Sequence, residues 1–284
     1  MWWSTVSGKL EQATSLDGPA KALESAVRAV LPQSAAKDVL HGRWLGHPVH
    51  PLLVAVPIGL WSGASLLDLT TGPSGRAAAQ RLIGAGVLAV VPTAASGLAD
   101  WSEVGEFDRP KRVGLVHAAA NTVTALLYGA SWLARRRGQQ ARGRNLALLG
   151  AAGLTVGGYL GGHLAYSEGV GVNRNADAPL APSDWTDALP VGDLGIEPVR
   201  VDVDGQPLVM VRTPQGVSAL GATCSHYGAP LEEGELQDGC LVCPWHGSRF
   251  RLSDGSVARG PATFPQRSFE VRTQGDRLQV RVRT

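Results

Sequence analysis

The first two thirds of the chain contain four long runs without a charged side chain. They extend over residues 48–67, 82–99, 113–134 and 145–167, and short charged connections separate them. Each run has about the twenty residues that a helix needs to cross a bilayer core. The alternative is a soluble helical bundle, but each helix of such a bundle would show a polar face, and these runs show none. The pattern therefore predicts a bundle of four transmembrane helices.

The last hundred residues show a different pattern, in which apolar and polar residues alternate with a period of two. Five short segments alternate in this way, at 199–203, 208–211, 217–220, 268–272 and 278–282, and Gly-containing turns lie between several of them. This period is typical of strands with one buried face. The sequence thus predicts an α + β protein in separate domains, with a small antiparallel β domain after the membrane helices.

The composition shifts along the chain predict four parts. Residues 1–46 form an N-terminal segment in which residues 19–31 have helical apolar spacing, either on the membrane surface, on the bundle, or as a soluble surface helix. Residues 47–168 form the membrane domain, and residues 185–284 form the β domain. Residues 169–184 are rich in Gly, Ala, Pro and Asn, which indicates a linker, either mobile or ordered on the bundle.

Charge and cysteine content narrow the function classes. The net charge of +2 over 284 residues is too small to indicate nucleic-acid binding. We instead expect membrane lipid to surround the first domain. Lys and Arg are slightly more numerous on one of the two predicted membrane faces, the one where Arg135, Arg136 and Arg137 lie. This asymmetry favours a cytoplasmic position for that face. The β domain, which follows the opposite end, is then predicted outside the cytoplasm, on the side of the membrane-domain histidines.

Four histidines lie near one end of the predicted helices. His117 and His163 are each about 6 Å inside a helix end by the helical rise. Ligating side chains inside a membrane are costly and usually functional. One hypothesis is a haem b held by His117 and His163, with His47 and His50 as a second ligand source or a quinone contact. A metal site of histidines with Asp100, or polar packing alone, are the alternatives.

A stripe of small residues lies in the last predicted helix. Gly153, Gly157 and Gly161 recur at every fourth position. Such a stripe lets a neighbouring helix, or a flat cofactor, approach closely.

The β domain carries two matched pairs of cysteine and histidine. Cys224 and His226 form a Cys-x-His pair, and Cys243 and His246 form a Cys-x-x-His pair. Two thiolates and two imidazoles suit a two-iron, two-sulfur cluster with unequal ligands on its irons. A zinc site that includes Cys240 is the alternative, although a buried strand position explains Cys240 better.

At these residues the chain resembles the Rieske iron–sulfur family. The resemblance includes the flanks Gly-Ala-Pro-Leu after the first pair, Gly-Ser-Arg-Phe after the second, and the later Gly-Pro-Ala. It implies that Cys224 and Cys243 bind the buried iron of a [2Fe–2S] cluster, and that His226 and His246 bind the outer iron. It also implies that a third loop, formed by Gly260, Pro261 and Ala262, covers the cluster.

Departures from the family pattern carry information. Membrane-complex members commonly have a disulfide between the two cluster loops, whereas this chain has Ala229 and Trp245 at those positions. Ser248 matches a serine that donates a hydrogen bond to a cluster sulfide in high-potential members, and Phe250 replaces their tyrosine. Because this chain keeps one of the two hydrogen-bond donors, we predict an intermediate reduction potential.

Around the Gly-His-Pro-Val-His-Pro sequence at 46–51 the chain also resembles an uncharacterised bacterial family of multi-helix membrane domains. That resemblance implies no function.

Together these features predict a membrane-anchored one-electron carrier, which exchanges electrons with a quinol, a membrane haem or a partner protein. An electron-transfer subunit of a larger oxidoreductase and a non-redox sensor module are the alternatives. A self-contained Rieske oxygenase is not expected, because it needs a mononuclear iron site of two histidines and a carboxylate beyond the cluster domain, and the sequence ends at Thr284.

Overall fold

The structure is a computed structural model that describes residues 2–283, with side chains from residue 5 onward. The chain divides into two units. The first comprises Met1–Gln33 and Val49–Val170, and the second comprises Ser34–Pro48 and Gly171–Thr284. In chain order the helices are α1 (Trp2–Glu11), α2 (Asp17–Val30), α3 (Ala35–His41), α4 (His50–Thr70), α5 (Arg76–Trp101), α6 (Asp108–Arg136) and α7 (Gln140–Tyr166).

The four long helices of the first unit pack as two hairpins, α4 on α5 and α6 on α7, which also contact each other. Three segments are long and apolar enough to cross a membrane: His50–Thr70, Gly72–Trp101 and Asp108–Arg136. The predicted fourth span lies in α7, where many glycines lower the apolarity. The prediction of four transmembrane helices is therefore confirmed only in part.

An aromatic stack forms the centre of the first unit. The rings of Trp61 and Tyr128 are nearly parallel, with centroids 4.2 Å apart. Each ring lies against a glycine of the neighbouring helix, Trp61 against Gly86 and Tyr128 against Gly150. Tyr128 is fully buried, so the small residues of α5 and α7 admit large rings to the middle of the bundle.

A buried ion pair lies at the next level along the same helices. Arg135 Nη1 donates to Asp68 Oδ1 at 2.9 Å. The two side chains are only 1% and 5% exposed. Charges this deeply buried persist only when they are paired and hydrogen-bonded, so this contact fixes how α6 lies against α4.

The N-terminal helix α2 is held against the bundle mainly by charged groups. Lys111 pairs with Glu24, and Arg112 pairs with Asp17. Arg28 donates to the carbonyl of Ser102 at 2.9 Å. Of the positions predicted for the amphipathic helix, the structure thus supports the one on the bundle.

The glycine stripe of α7 packs against α6. A Cβ on Gly153, Gly157 or Gly161 would meet a side chain of α6, namely Thr124, Asn121 or His117. The close helix approach that the stripe predicted is confirmed.

The second unit is an antiparallel β domain, as predicted. One sheet has six strands in the order β1-β10-β9-β4-β3-β2, and the other has four in the order β5-β6-β7-β8. The strands are β1 (Thr186–Pro190), β2 (Val199–Val203), β3 (Gln206–Thr213), β4 (Gly216–Gly221), β5 (Glu235–Gln237), β6 (Cys240–Val242), β7 (Arg249–Arg251), β8 (Val257–Arg259), β9 (Ser268–Gln274) and β10 (Arg277–Val282).

Two segments predicted to lie outside the β domain belong to the second unit. Ser34–Pro48, with helix α3, folds with it rather than with the N-terminal segment. The predicted linker is ordered on the same unit: Arg174 N–H donates to the carbonyl of Ser225 at 3.0 Å, and Asn175 donates to that of Thr223 at 2.8 Å. In the structure the connection between the units is therefore shorter than residues 169–184.

Replacing Gly150 by alanine tests the packing of the aromatic stack. The added Cβ would lie 2.7 Å from Tyr128 Cε2, so the ring must move. We expect a destabilisation of about 1–3 kcal/mol, the usual cost of overpacking. Thermal unfolding in detergent, followed by circular dichroism, measures it.

Gly158→Ala, in the same helix, is the matched control because no atom lies within 4 Å of the new Cβ. It should leave the melting temperature unchanged or slightly raised. Equal melting temperatures for the two variants would contradict the packing described here.

Candidate metal centre

The first cysteine–histidine pair lies on the loop that joins the two sheets, after β4. Gly228 N–H donates to the carbonyl of Cys224 at 2.9 Å, and Cys224 N–H donates to the carbonyl of Ala229 at 2.8 Å. Gly228 has a φ of +82°, which other residues rarely adopt. The turn therefore needs glycine, and it leaves Cys224 and His226 on a fixed backbone.

The second pair lies on the β6–β7 hairpin and has the same backbone pattern. Gly247 N–H donates to the carbonyl of Cys243 at 3.0 Å, and Cys243 N–H donates to that of Ser248 at 2.8 Å. Gly247 has a φ of +69°. The two loops are thus equivalent turns, although the histidine comes one position later in the second.

The four side chains meet as two pairs. The Nδ1 atoms of His226 and His246 are 3.3 Å apart, and the rings are perpendicular. Cys224 and Cys243 are 1% and 2% exposed, and their thiols hydrogen-bond to each other. The histidines are only half-buried, so they form the outer pair.

The electrostatics of Cys243 and His226 suit metal binding. The hydrogen bond from Cys224 lowers the pKa of Cys243 to about 7, while the Cys224 pKa is raised. Burial, and then the charge of His246, lower the pKa of His226 well below its usual value. Thiolates and neutral imidazoles are the forms that bind metals.

This arrangement fits a two-metal centre. A single tetrahedral ion needs its ligands around one point, and among the described residues no three of the cysteine and histidine donors of this domain converge in that way. A thiol pair beside an imidazole pair instead matches the Cys₂ and His₂ ligands of the two irons in a [2Fe–2S] cluster. The zinc alternative finds no support here.

Cys240 takes no part in the centre. It is a buried residue of β6, opposite Arg251 in the ladder. This is the strand position that the sequence favoured.

The third loop is joined to the second through Ser248. The hydroxyl oxygen of Ser248 accepts the N–H of Ala262 at 2.9 Å, and Ser248 is fully buried. A hydroxyl that accepts one hydrogen bond still has its own proton to donate. That proton is therefore available to a cluster sulfide.

Helix α3 contacts the third loop, and the sequence analysis did not foresee this. Asp38 Oδ1 accepts the N–H of Gly260 at 2.9 Å. Arg43 pairs with Asp38 at 3.3 Å and donates to the carbonyl of Val257 at 3.3 Å. Residues 34–48 thus form an arm that holds the loop from outside.

His41 is a further imidazole near the centre. It is 1% exposed and close to Gly260, and its charge acts on His226. The sequence does carry a signal for helix α3, namely the residues that cap it. Ser34 accepts a hydrogen bond from Lys37 N–H at the start of the helix, and Gly42 has the left-handed conformation at its end. Asp38 and His41 lie three positions apart on that helix and so share a face.

The four histidines predicted near one membrane face have different surroundings. His163 Nε2 lies 2.9 Å from Glu11 Oε1 and donates a hydrogen bond to it. His47 is exposed, with Nδ1 3.1 Å from the carbonyl of Pro48. His50 and His117 lie within the bundle, and each places Nδ1 3.0 Å from a backbone carbonyl.

Family models match both parts of the chain. Residues 46–174 match the model described as predicted membrane protein (DUF2231), and residues 184–270 match the Rieske [2Fe–2S] domain. The Rieske iron–sulfur subunit of the cytochrome bc1 complex of Streptomyces lividans is 31% identical over 137 residues, which are 40% of this chain and 81% of that protein. The chain belongs to the Rieske [2Fe–2S] family.

Other relatives match the same domain. Ferredoxin CarAc of Metapseudomonas resinovorans is 35% identical over 78 residues, 28% of this chain and 73% of that protein. Apoptosis-inducing factor 3 of Homo sapiens is 35% identical over 82 residues, which are 29% of this chain but only 14% of that protein. Among solved structures, the ferredoxin of carbazole 1,9a-dioxygenase from Nocardioides aromaticivorans is 28% identical and wholly covered, over 36% of this chain, with a TM-score of 0.34. The chain thus spans only a small part of the length of this human relative.

Replacing Cys243 by serine tests the metal centre of the Rieske domain. Loss of one buried thiolate should abolish the cluster, because its hydrogen-bonded partner Cys224 cannot hold that iron alone. Acid-labile sulfide and the EPR signal of the reduced protein measure this.

Cys240→Ser is the matched control, since it removes a buried thiol that lies outside the site. It should retain a full cluster with some loss of stability. Cluster loss in the control and retention in Cys243→Ser would show that the ligands are assigned wrongly.

Replacing Asp38 by alanine tests the arm. The Gly260 N–H loses a charged acceptor, which we expect to cost about 1–3 kcal/mol. The Gly260 amide should also exchange its hydrogen faster, as measured by exchange and mass spectrometry. Asp38→Asn keeps an acceptor oxygen and should have a smaller effect; equal effects would mean that the hydrogen bond is unimportant.

Proposed function

We propose that the protein is a membrane-anchored one-electron carrier, which exchanges electrons between a membrane donor or acceptor and a partner protein. A [2Fe–2S] cluster, when bound, supplies the one-electron chemistry. The observation that carries the proposal is the pairing of donors: buried Cys224 and Cys243 on one side, and half-buried His226 and His246 on the other.

The residues around the outer pair favour contact with a partner. Trp245, beside His246, is 48% exposed. An exposed aromatic ring next to a surface ligand offers a docking contact where electrons can leave. We propose two partners for the electron transfer. One is a quinol or a haem b in the membrane, the other is a soluble protein, and either one can be the electron donor.

The second candidate is an electron-transfer subunit of a larger oxidoreductase. The bc1 relative of Streptomyces lividans is such a subunit by its name, and this favours the candidate. The chain adds a membrane domain of its own, which fits a subunit that anchors itself. Both candidates share the same cluster chemistry. A sensor role instead requires a cluster that no cellular reductant reduces.

We infer an intermediate reduction potential. The buried Ser248 hydroxyl retains a proton for a cluster sulfide, whereas Phe250 offers none. A hydrogen bond to sulfur stabilises the reduced cluster and raises its potential.

We further propose that α4, α5, α6 and α7 all cross the membrane. Ser34–Pro48 and Gly171–Thr284 fold as one unit, so both must lie on the same side of the bilayer. The intervening chain then crosses an even number of times. Three segments are apolar enough to span, and α7 supplies the fourth crossing.

The orientation follows from the charge pattern in this proposal. Arg136, Arg142 and Arg144 lie at or near the connection between α6 and α7, and this favours a cytoplasmic position for that connection. The chain that leaves α7 then emerges outside the cytoplasm, and the Rieske domain with it.

Replacing Ser248 by alanine tests the proposed tuning. The cluster should remain, and its midpoint potential should fall because a donor to sulfur is lost. A redox titration monitored by EPR measures the shift. Ser225→Ala is the matched control: Ser225 is also buried in a cluster loop, but it donates to the carbonyl of Phe264 at 2.7 Å. Equal potentials in both variants and the parent would contradict the role of Ser248, and a cluster that never cycles would contradict the carrier function.

A further inference from the structure

The membrane unit contains an internal duplication that the sequence analysis did not detect. The hairpin α4–α5 and the hairpin α6–α7 carry equivalent residues in equivalent places. In α4 and α6 the pairs His50/His117, Trp61/Tyr128 and Asp68/Arg135 are all 67 positions apart. In α5 and α7 the pairs Gly86/Gly150 and Gly97/Gly161 are both 64 positions apart.

The contacts within the hairpins repeat as well. Trp61 lies against Gly86, as Tyr128 lies against Gly150. His50 lies against Gly97, where a Cβ would come within 2.7 Å of the ring, and His117 lies against Gly161, with a corresponding 3.1 Å.

The hydrogen bonds of the two histidines repeat too. His50 Nδ1 is 3.0 Å from the carbonyl of Thr93, and His117 Nδ1 is 3.0 Å from that of Gly157. Each carbonyl comes four residues before the glycine that the ring contacts. The two histidines are thus held in the same way.

Equivalent residues also meet each other. Trp61 stacks on Tyr128, and Asp68 pairs with Arg135. A residue can contact its own equivalent only near the two-fold axis that relates the two copies. These two contacts, two helical turns apart, mark an axis that runs along the helices.

His50 and His117 belong to the same axis. His50 precedes Trp61 by three helical turns and Asp68 by five, so all three share one face of α4. His117 has the same relation to Tyr128 and Arg135. The histidines therefore each lie on the axis-facing side of their helix, about 16 Å along the axis from the aromatic stack.

Each histidine has a fixed tautomer. A carbonyl only accepts hydrogen bonds, so Nδ1 of both rings carries the hydrogen and Nε2 carries the lone pair. Asn121 Nδ2 is 3.3 Å from Nδ1 and 3.1 Å from Nε2 of His117, and an atom so evenly placed lies over the ring face rather than on the lone pair. A backbone carbonyl on Nδ1 and an Nε2 that carries no hydrogen are the usual state of a metal-binding histidine.

We propose that His50 and His117 are the two axial ligands of a haem iron on this axis. The pair supplies two nitrogen donors, and among the described residues no third histidine, cysteine or carboxylate joins them at ligand distance. A bare ion needs more protein ligands, whereas a haem iron receives four nitrogens from the porphyrin and two from the protein. The proposal rests on the electron-carrier function and adds a second one-electron centre to it.

This pair differs from the haem ligands that the sequence predicted. His163 lies two residues after Gly161, so its side chain leaves α7 on another side than the one that contacts His117. It pairs with Glu11, and Glu168 lies 4.0 Å away. Arg109 contacts both carboxylates, so the acidic partners of His163 are already engaged by a cation.

Absorption and EPR spectra of the full chain test the proposal, after expression with excess haem and purification in detergent. We expect a Soret band, low-spin EPR signals of bis-imidazole haem, and one haem per cluster. His50→Ala and His117→Ala should each lose the low-spin signals and keep the cluster signal. His163→Ala and His47→Ala, the matched controls, should keep both.

His117→Gly with added imidazole guards against simple misfolding, since imidazole should restore the low-spin spectrum. A parent protein with its cluster but no Soret band would overturn the haem, as would bound zinc or another bare metal at this pair. Haem loss in His163→Ala but not in His50→Ala would overturn the ligand assignment. Failure of the carrier function is seen separately, as a cluster signal that does not cycle.

Discussion

The cluster site depends on one backbone constraint, which is a left-handed glycine four residues after each cysteine. Gly228 and Gly247 close turns in which the cysteine carbonyl accepts the glycine N–H. A side chain at either position would strain the turn. Because both loops use the same turn, the thiols point inward and the imidazoles outward without further support. The surrounding sheets then only need to hold two rigid loops at the right separation.

The sequence signals for this centre are local. The ligands, their spacing and their flanks all lie within short segments. The five strands with a clear period of two all lie in the six-stranded sheet, whose strand β4 leads into the first ligand loop. The short strands β5 to β8 contain three residues each, too few for a period to be recognised. Cys240 was placed correctly because its apolar neighbours indicate a buried strand.

The contacts that the sequence did not predict are distant or depend on rotation about a helix axis. Asp38 and Gly260 are 222 positions apart, and no period links them. In the membrane unit, apolar length allowed a prediction of the depth of each histidine but gave no information on which way it faces. His117 and His163 have similar depths, yet one lies against Gly161 and the other against Glu11. The constant offsets between the two hairpins became meaningful only when contacts showed which positions correspond.

The arm has a consequence for how the protein is made. Residues 34–48 leave the ribosome long before the β strands on which they pack, and the membrane helices are synthesised in between. The arm therefore cannot pack on the third loop until that loop has been synthesised. Contacts between segments far apart in sequence form slowly, so the β domain is expected to complete its folding late. Closure of the arm then follows completion of the whole chain, and cofactor loading has a time window in which the third loop is still open.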